Sequence, residues 1–158
     1  MAALRATRSN LESPVLIAID SSVLIDLLGD DARAEAAEAS LRQALTRGPV
    51  VVCDVVVSEV VSGLANFGNG GAALLDTLEE AGIAYAAIES RAAVRAGEMQ
   101  RRYQERRRGA GLPALGERTV PDFLIGAHAL LQCTALITRD ASFFRDYFKG
   151  LKVIVPKS

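Results

Sequence analysis

No lysine occurs before Lys149; all three, Lys149, Lys152 and Lys157, fall in the last ten residues. A Walker-type phosphate loop, which needs a lysine directly behind its glycines, is thereby excluded. Cysteine is almost as scarce: Cys53 and Cys133 lie inside apolar strings, with no second Cys or His at metal-ligand spacing, so both read as small core residues. Long apolar runs are missing as well. None approaches the ~20 residues that cross a bilayer, and the opening MAALRATRSN lacks the apolar segment of a secretory signal. The expectation is a soluble, unexported, cytoplasmic protein with no membrane partner. What is present is a chain of 158 residues, 50% hydrophobic and 23% charged, which suits one domain burying roughly two thirds of its extended surface.

A net charge of −1 argues against coating nucleic acid by bulk attraction, but the average conceals an asymmetry. Residues 91–108 carry seven arginines against Glu98 and Glu105, a local balance of +5, while the rest of the chain sums to −6. Arg91, Arg95, Arg102 and Arg106 form one helical stripe shared by Glu98 and Glu105 at ion-pairing separations. A solvated, salt-bridged face is the better reading of that stripe.

Apolar, β-branched runs at 15–19, 50–53, 83–88, 135–138 and 153–155 read as strands. Between them, helical patterns cover 21–29, 31–46, 55–66, 72–81, 90–108, 121–132 and 141–148. In VVVSEVVSGLAN, at 55–66, the valines leave strand as the alternative, and helix is preferred because Asp54 can cap it. Ala92, Ala96, Met99 and Tyr103 share a narrow sector, giving 90–108 the best-defined apolar face. FGNGG, at 67–71, and residues 109–119 are loops. Strands alternating with helices imply an α/β fold with a parallel sheet covered on both faces.

In such a sheet, polar groups at the carboxyl ends of strands converge on one crevice. Asp20 ends the first strand, Asp140 follows the fourth, Asp122 opens the helix feeding the fourth, and Glu59 lies just over one turn into the helix after the second. Capping alone accounts for Asp20, Asp122 and Asp140 taken singly, at about 1 kcal/mol each. Glu59 differs, because it interrupts an apolar string where an unpaired carboxylate is costly to bury. The joint pattern, an acid wherever this topology aims a side chain into one cleft, favours a site.

Four blocks in order, IDSSVLIDLL at 19–28, VVVSEVVSG at 55–63, VPDFLIGAHAL at 120–130 and LITRDASFF at 136–144, resemble PIN-domain ribonucleases, and most of all the VapC-type toxins of bacterial toxin–antitoxin pairs. The resemblance implies a PIN-like three-layer α/β/α domain over residues 14–158, with a parallel sheet of four to five strands, preceded by an N-terminal arm at 1–13. It assigns catalysis and metal binding to Asp20, Glu59, Asp122 and Asp140, with Ser22 and Thr138 as polar supports. It further implies hydrolysis of single-stranded or loop RNA, a homodimer, and a cognate antitoxin whose tail covers the acidic cleft. His128 stands where the family needs no particular side chain and reads as a core or interface histidine. Arg107, Arg108 and Arg118 read as freer than the stripe and flank the loop leading to Asp122, so they are the candidate RNA contacts.

Carboxylates about 5 Å apart repel by roughly 3 kcal/mol at an effective dielectric of 20, a conflict that a divalent cation removes. All-oxygen donors favour Mg²⁺, with Mn²⁺ as its substitute. Two rivals use similar acids. A haloacid-dehalogenase-like phosphatase needs a second aspartate two residues after the first, where this chain has Ser22. A response-regulator receiver needs a lysine after a late strand, and none stands there. The remaining alternative is a catalytically weak PIN-like module that binds RNA or protein without turnover.

Overall fold

The first strand, β1 (Ile17–Ile19), is buried at every residue and leads directly into Asp20. The structure, a computed structural model, describes residues 15–63 and 71–157. The expected N-terminal arm and the glycine-rich turn up to residue 70 lie outside the described residues. Four further strands, β2 (Val50–Val52), β3 (Ile83–Tyr85), β4 (Ala135–Ile137) and β5 (Lys152–Ile154), pair with β1 into one all-parallel sheet of order β3-β2-β1-β4-β5. The three central strands are buried throughout, because helices cover both faces, whereas β3 and β5 are partly exposed edges. That burial is why the central strands read as unbroken apolar runs rather than as alternating patterns.

The helices are α1 (Ser21–Leu27), α2 (Ala32–Leu45), α3 (Asp54–Gly63), α4 (Gly71–Glu80), α5 (Ser90–Gly109), α6 (Val120–Gln132) and α7 (Ala141–Tyr147). VVVSEVVSG is helical, but Asp54 is the first residue of the helix rather than its cap, and the Val57 N–H donates to the Cys53 carbonyl at 3.0 Å; Val56 and Val60 face the core, and the Val55 N–H donates to Asp54 Oδ1 at 3.1 Å. Asp31 caps α2 by accepting from the Arg33 and Ala34 N–H groups at 2.9 and 3.3 Å. Along α5 the buried residues are Ala92, Ala96, Met99 and Tyr103, the sector that the periodicity picks out.

Two expectations need correction. The third strand ends at Tyr85 rather than at residue 88, because the Gln132 side chain on α6 holds the segment that follows. Its Oε1 accepts from the Glu89 N–H at 2.8 Å and its Nε2 donates to the Ala87 carbonyl at 3.0 Å. The arginine stripe is not salt-bridged along its own helix either. Arg106 pairs with Asp146 of α7 at 3.0 Å and Arg91 with Glu89 at 2.7 Å, while Glu98 and Glu105 form no ion pair among the described residues. The Arg106 guanidinium also lies 5.1 Å from the centre of the Tyr147 ring, and this aromatic contact favours the inter-helix partner.

Below α7 lies an aromatic cluster. Phe123 on α6 meets Phe143 edge-on with centroids 5.3 Å apart, and Phe143 meets Phe144 at 4.9 Å; such pairs contribute about 0.5–1.5 kcal/mol beyond area burial. Gly126, one turn after Phe123 on α6, lets the Phe148 ring close on the helix. A Cβ built at Gly126 would stand 2.2 Å from that ring, which is fully buried. Alanine gains about 1 kcal/mol of helix propensity over glycine, but overpacking a core costs about 1–3 kcal/mol. Gly126→Ala is therefore expected to lower the melting temperature by several degrees. Gly97→Ala, at an exposed position of α5 with no neighbour for its Cβ, is expected to leave it unchanged or raise it. Thermal unfolding of the two variants checks both signs.

Candidate active site

The chain leaves β1 towards β2 and β3 on one side of the sheet and returns to β4 and β5 on the other. The point of reversal therefore lies between β1 and β4, with Ile19 beside Ile137 at their carboxyl ends. In open α/β sheets this is where a crevice opens. Asp20 stands immediately after β1 and Thr138 immediately after β4, facing one another across it.

Asp20 is buried and densely hydrogen-bonded. Its Oδ1 accepts from the Ser21 N–H at 2.8 Å, and its Oδ2 accepts from the Ser22 hydroxyl at 3.1 Å and the Thr138 hydroxyl at 2.6 Å. Ser22 and Thr138 thus hold the carboxylate from its own helix and from the neighbouring strand. Thr138 also ties in Asp140, whose N–H donates to its Oγ1 at 3.0 Å. Despite these donors, burial pushes the Asp20 carboxyl above its usual range, and the charge of Asp122 adds to the shift.

Glu59, six residues into α3, points its carboxylate at the same place. Burial raises its pKa first; the Ser21 hydroxyl works against that, and the charges of Asp122 and then Asp20 reinforce it. Its Oε1 is buried with no hydrogen-bond partner among the described residues, the cost that its apolar surroundings predict. Asp122 opens α6, and its Oδ2 accepts from the Thr119 N–H at 3.0 Å. Asp20, Glu59 and Asp122, 102 residues apart at the extremes, therefore share one electrostatic neighbourhood. Two of the three also cap helices, so capping and convergence coexist.

Asp140 is held differently. It stands at the N-cap of α7 but makes no capping bond with its side chain. Its Oδ2 instead accepts from the Arg118 guanidinium, which lies 4.2 Å from the centre of the Phe143 ring. Burial opposes the charge on Arg118, yet the hydrogen bond and charge of Asp140, helped by Asp122, raise its pKa overall. The reading of Arg118 and Arg107 as free is corrected here. Arg118 pairs with Asp140, and Arg107 donates to the Pro113 carbonyl at 2.7 Å beside the Tyr103 ring. Arg108 remains exposed and forms no ion pair among the described residues.

The donors are all oxygen, the chemistry that Mg²⁺ and Mn²⁺ prefer. As arranged, however, they do not close a metal site: among the described residues no group of three His, Cys, Asp or Glu side chains is placed to hold an ion. His128 lies away from this chemistry. It is buried, burial lowers its pKa, and its Nε2 has no partner, so it is a neutral core histidine. Cys53 is buried and Cys133 half-buried; neither forms a disulfide, and burial pushes their thiols up to about 11 and about 12. Sequence reasoning missed Ser21, Phe143 and the engagement of Arg118. Ser21 sits beside Asp20 in the SSVLI run, and an extra hydroxyl next to a buried acid was a usable signal.

No curated protein matches this chain. Among solved structures, a chain of VapBC2 from Rickettsia felis, bound to a DNA fragment from its promoter, superposes with a TM-score of 0.67 at 15% identity, covering 90% of this chain and 100% of that one. A chain of DNA-bound VapBC from Salmonella typhimurium gives 0.62 at 14%, covering 90% and 99%. VapC20 from Mycobacterium tuberculosis, described as a sarcin–ricin-loop-cleaving toxin, gives 0.58 at 18%, covering 86% and 98%. These likenesses concern the fold. No helix among the described residues is long and apolar enough to cross a membrane. Residues 17–149, most of the chain and the whole of the acidic crevice, match the PIN domain, and the chain belongs to the PIN-domain family.

Proposed function

We propose that this chain is a metal-dependent endoribonuclease of the VapC type, the toxin half of a toxin–antitoxin pair acting in the cytoplasm. The observation that carries the reading is the convergence of Asp20, Glu59, Asp122 and Asp140 on the crevice between β1 and β4, with two of those acids lifted above their usual pKa range. Structures of toxin–antitoxin complexes with the same fold support a cognate antitoxin; a homodimer belongs to the same proposal. An apolar groove bordered by Leu27, Leu28, Leu41, Leu45 and Leu78 on α1, α2 and α4 offers the antitoxin a surface.

Asp20, Asp122 and Asp140 are the residues to hold Mg²⁺ or Mn²⁺. Such an ion supplies neutralisation of charge on the phosphate and a more acidic water. The protein's own part rests on fixed geometry. Ser22 and Thr138 lock the Asp20 carboxylate in place, and the half-buried Glu59 carboxylate, raised in pKa, accepts a proton from the attacking water. The water oxygen bonds to phosphorus, the bond from phosphorus to the 3′ oxygen breaks, that oxygen takes a proton from solvent water, and the products are a 5′-phosphate and a 3′-hydroxyl, with no covalent enzyme intermediate.

The reaction is tested by incubating structured RNA with the protein and Mg²⁺ or Mn²⁺, with EDTA, and with Asp20→Asn and Glu59→Gln. Each removal is expected to cut cleavage by at least about 100-fold; undiminished cleavage by the variants overturns the proposal. The absence of a closed three-acid site among the described residues favours one second reading, a PIN-like module that binds RNA or protein without turnover. Metal-independent RNA binding with no cleavage under any condition would establish it.

Stability against pH gives an independent check. A carboxyl whose pKa is raised by folding binds its proton more tightly in the folded chain, so stability falls as pH climbs from the ordinary carboxyl range through the folded value. Glu59→Gln removes that loss. In EDTA the variant is expected to melt above the parent at neutral pH and to match it at about pH 4. A lower melting point at neutral pH would make Glu59 a structural residue.

The arginines are addressed through salt. Arg108 is the candidate contact left without a partner, so Arg108→Glu is expected to weaken RNA binding and flatten the plot of log K against log salt by about 0.7 or more. Titrations of a cleavage-resistant RNA between 50 and 200 mM salt would read this slope, and an unchanged slope removes Arg108 from the interface.

A further inference from the structure

Three of the four acids already have protein donors on them. Asp20 is held by Ser21, Ser22 and Thr138, Asp122 by the Thr119 N–H, and Asp140 by the Arg118 guanidinium. Hydroxyls and a backbone amide leave a carboxylate its full negative charge. A guanidinium does not: it neutralises the group, and on Asp140 it takes Oδ2, one of the two oxygens that a cation could use. Arg118 is also well anchored. It sits on the loop directly before α6, its N–H donates to the Tyr103 hydroxyl at 3.3 Å, and its planar head stacks 4.2 Å from the Phe143 ring centre. The Arg118 and Asp140 side chains are each only about a third exposed, 28% and 33%, so solvent screens the pair incompletely.

We propose that Arg118 is a built-in counter-ion that competes with the divalent cation for Asp140, so that the crevice completes its metal site only when the guanidinium leaves that carboxylate. The inference rests on the reading of the crevice as a nuclease site. It follows from the ion pair itself, since the guanidinium on Asp140 Oδ2 and an incoming cation compete for the same carboxylate.

The test is Mn²⁺ binding by isothermal titration calorimetry on the full chain, without RNA, at fixed ionic strength. Arg118→Gln is expected to bind Mn²⁺ about tenfold more tightly than the parent. Arg118→Lys, which keeps the charge but loses the planar fork and the stack on Phe143, is expected to fall between the two. Arg101→Gln, which removes an exposed charge elsewhere on α5, is expected to change affinity less than twofold, so a general field effect is separated from competition. In an Asp140→Asn background the gain from Arg118→Gln is expected to vanish. Binding that depends on Asp20 but is unchanged or weakened by Arg118→Gln would overturn the counter-ion role and leave the nuclease reading standing; weakening would mean that Arg118 positions Asp140 for the ion. If no variant shows Mn²⁺ binding that depends on Asp20, both proposals fall.

Discussion

The structure is organised around a concentration of like charge that its topology imposes. Reversing direction between β1 and β4 brings the carboxyl ends of two central strands side by side, and the residues placed there and on the adjoining helices are acids. Ionised carboxylates repel one another in a half-buried place, and here the charge of Asp122 adds to the burial that raises the pKa of both Asp20 and Glu59. The fold carries this load by several different means. Asp20 is wrapped in three hydroxyl or amide donors, Asp122 takes a backbone N–H, Asp140 takes a guanidinium, and Glu59 shifts towards its protonated form.

What a reader of the sequence can see of this is set by range. The acids were legible because each is fixed locally. Asp20 follows a strand by one residue, Asp122 sits just inside a helix start marked by Pro121, and Glu59 interrupts a valine string. The α5 face of Ala92, Ala96, Met99 and Tyr103 was legible for the same reason, since helical spacing depends on neighbours alone. The limits of the third strand were not, because the segment after Tyr85 is captured by Gln132, more than forty residues downstream.

The arginines show the opposite case. Spacing along α5 placed Glu98 and Glu105 within reach of the stripe, and an isolated helix would use them. In the folded chain Arg106 finds Asp146 and the Tyr147 ring on α7, forty residues away, and Arg118 finds Asp140 above Phe143. Exposed pairs along a helix contribute only a few tenths of a kcal/mol. A tertiary partner that adds an aromatic face therefore wins easily, and nothing in the periodicity announces it. Long, flexible cationic side chains are thus the residues whose roles sequence reading predicts least well.

Capping a helix and standing in the crevice are compatible for the same aspartate. Asp20 and Asp122 accept backbone N–H groups at the first turns of α1 and α6 while standing in the shared crevice. A helix N-terminus carries partial positive charge, so it is one of the few uncharged devices that can hold an anion in a half-buried place. Such a device offsets repulsion without filling the carboxylate's remaining lone pairs. Asp140 departs from this scheme: at the N-cap of α7 its side chain makes no capping bond and turns to a full cation instead. The crevice therefore treats its acids unequally. Those held by dipoles meet no full positive charge, and the one held by Arg118 does, which makes that ion pair the contact that must change before all four carboxylates can act together.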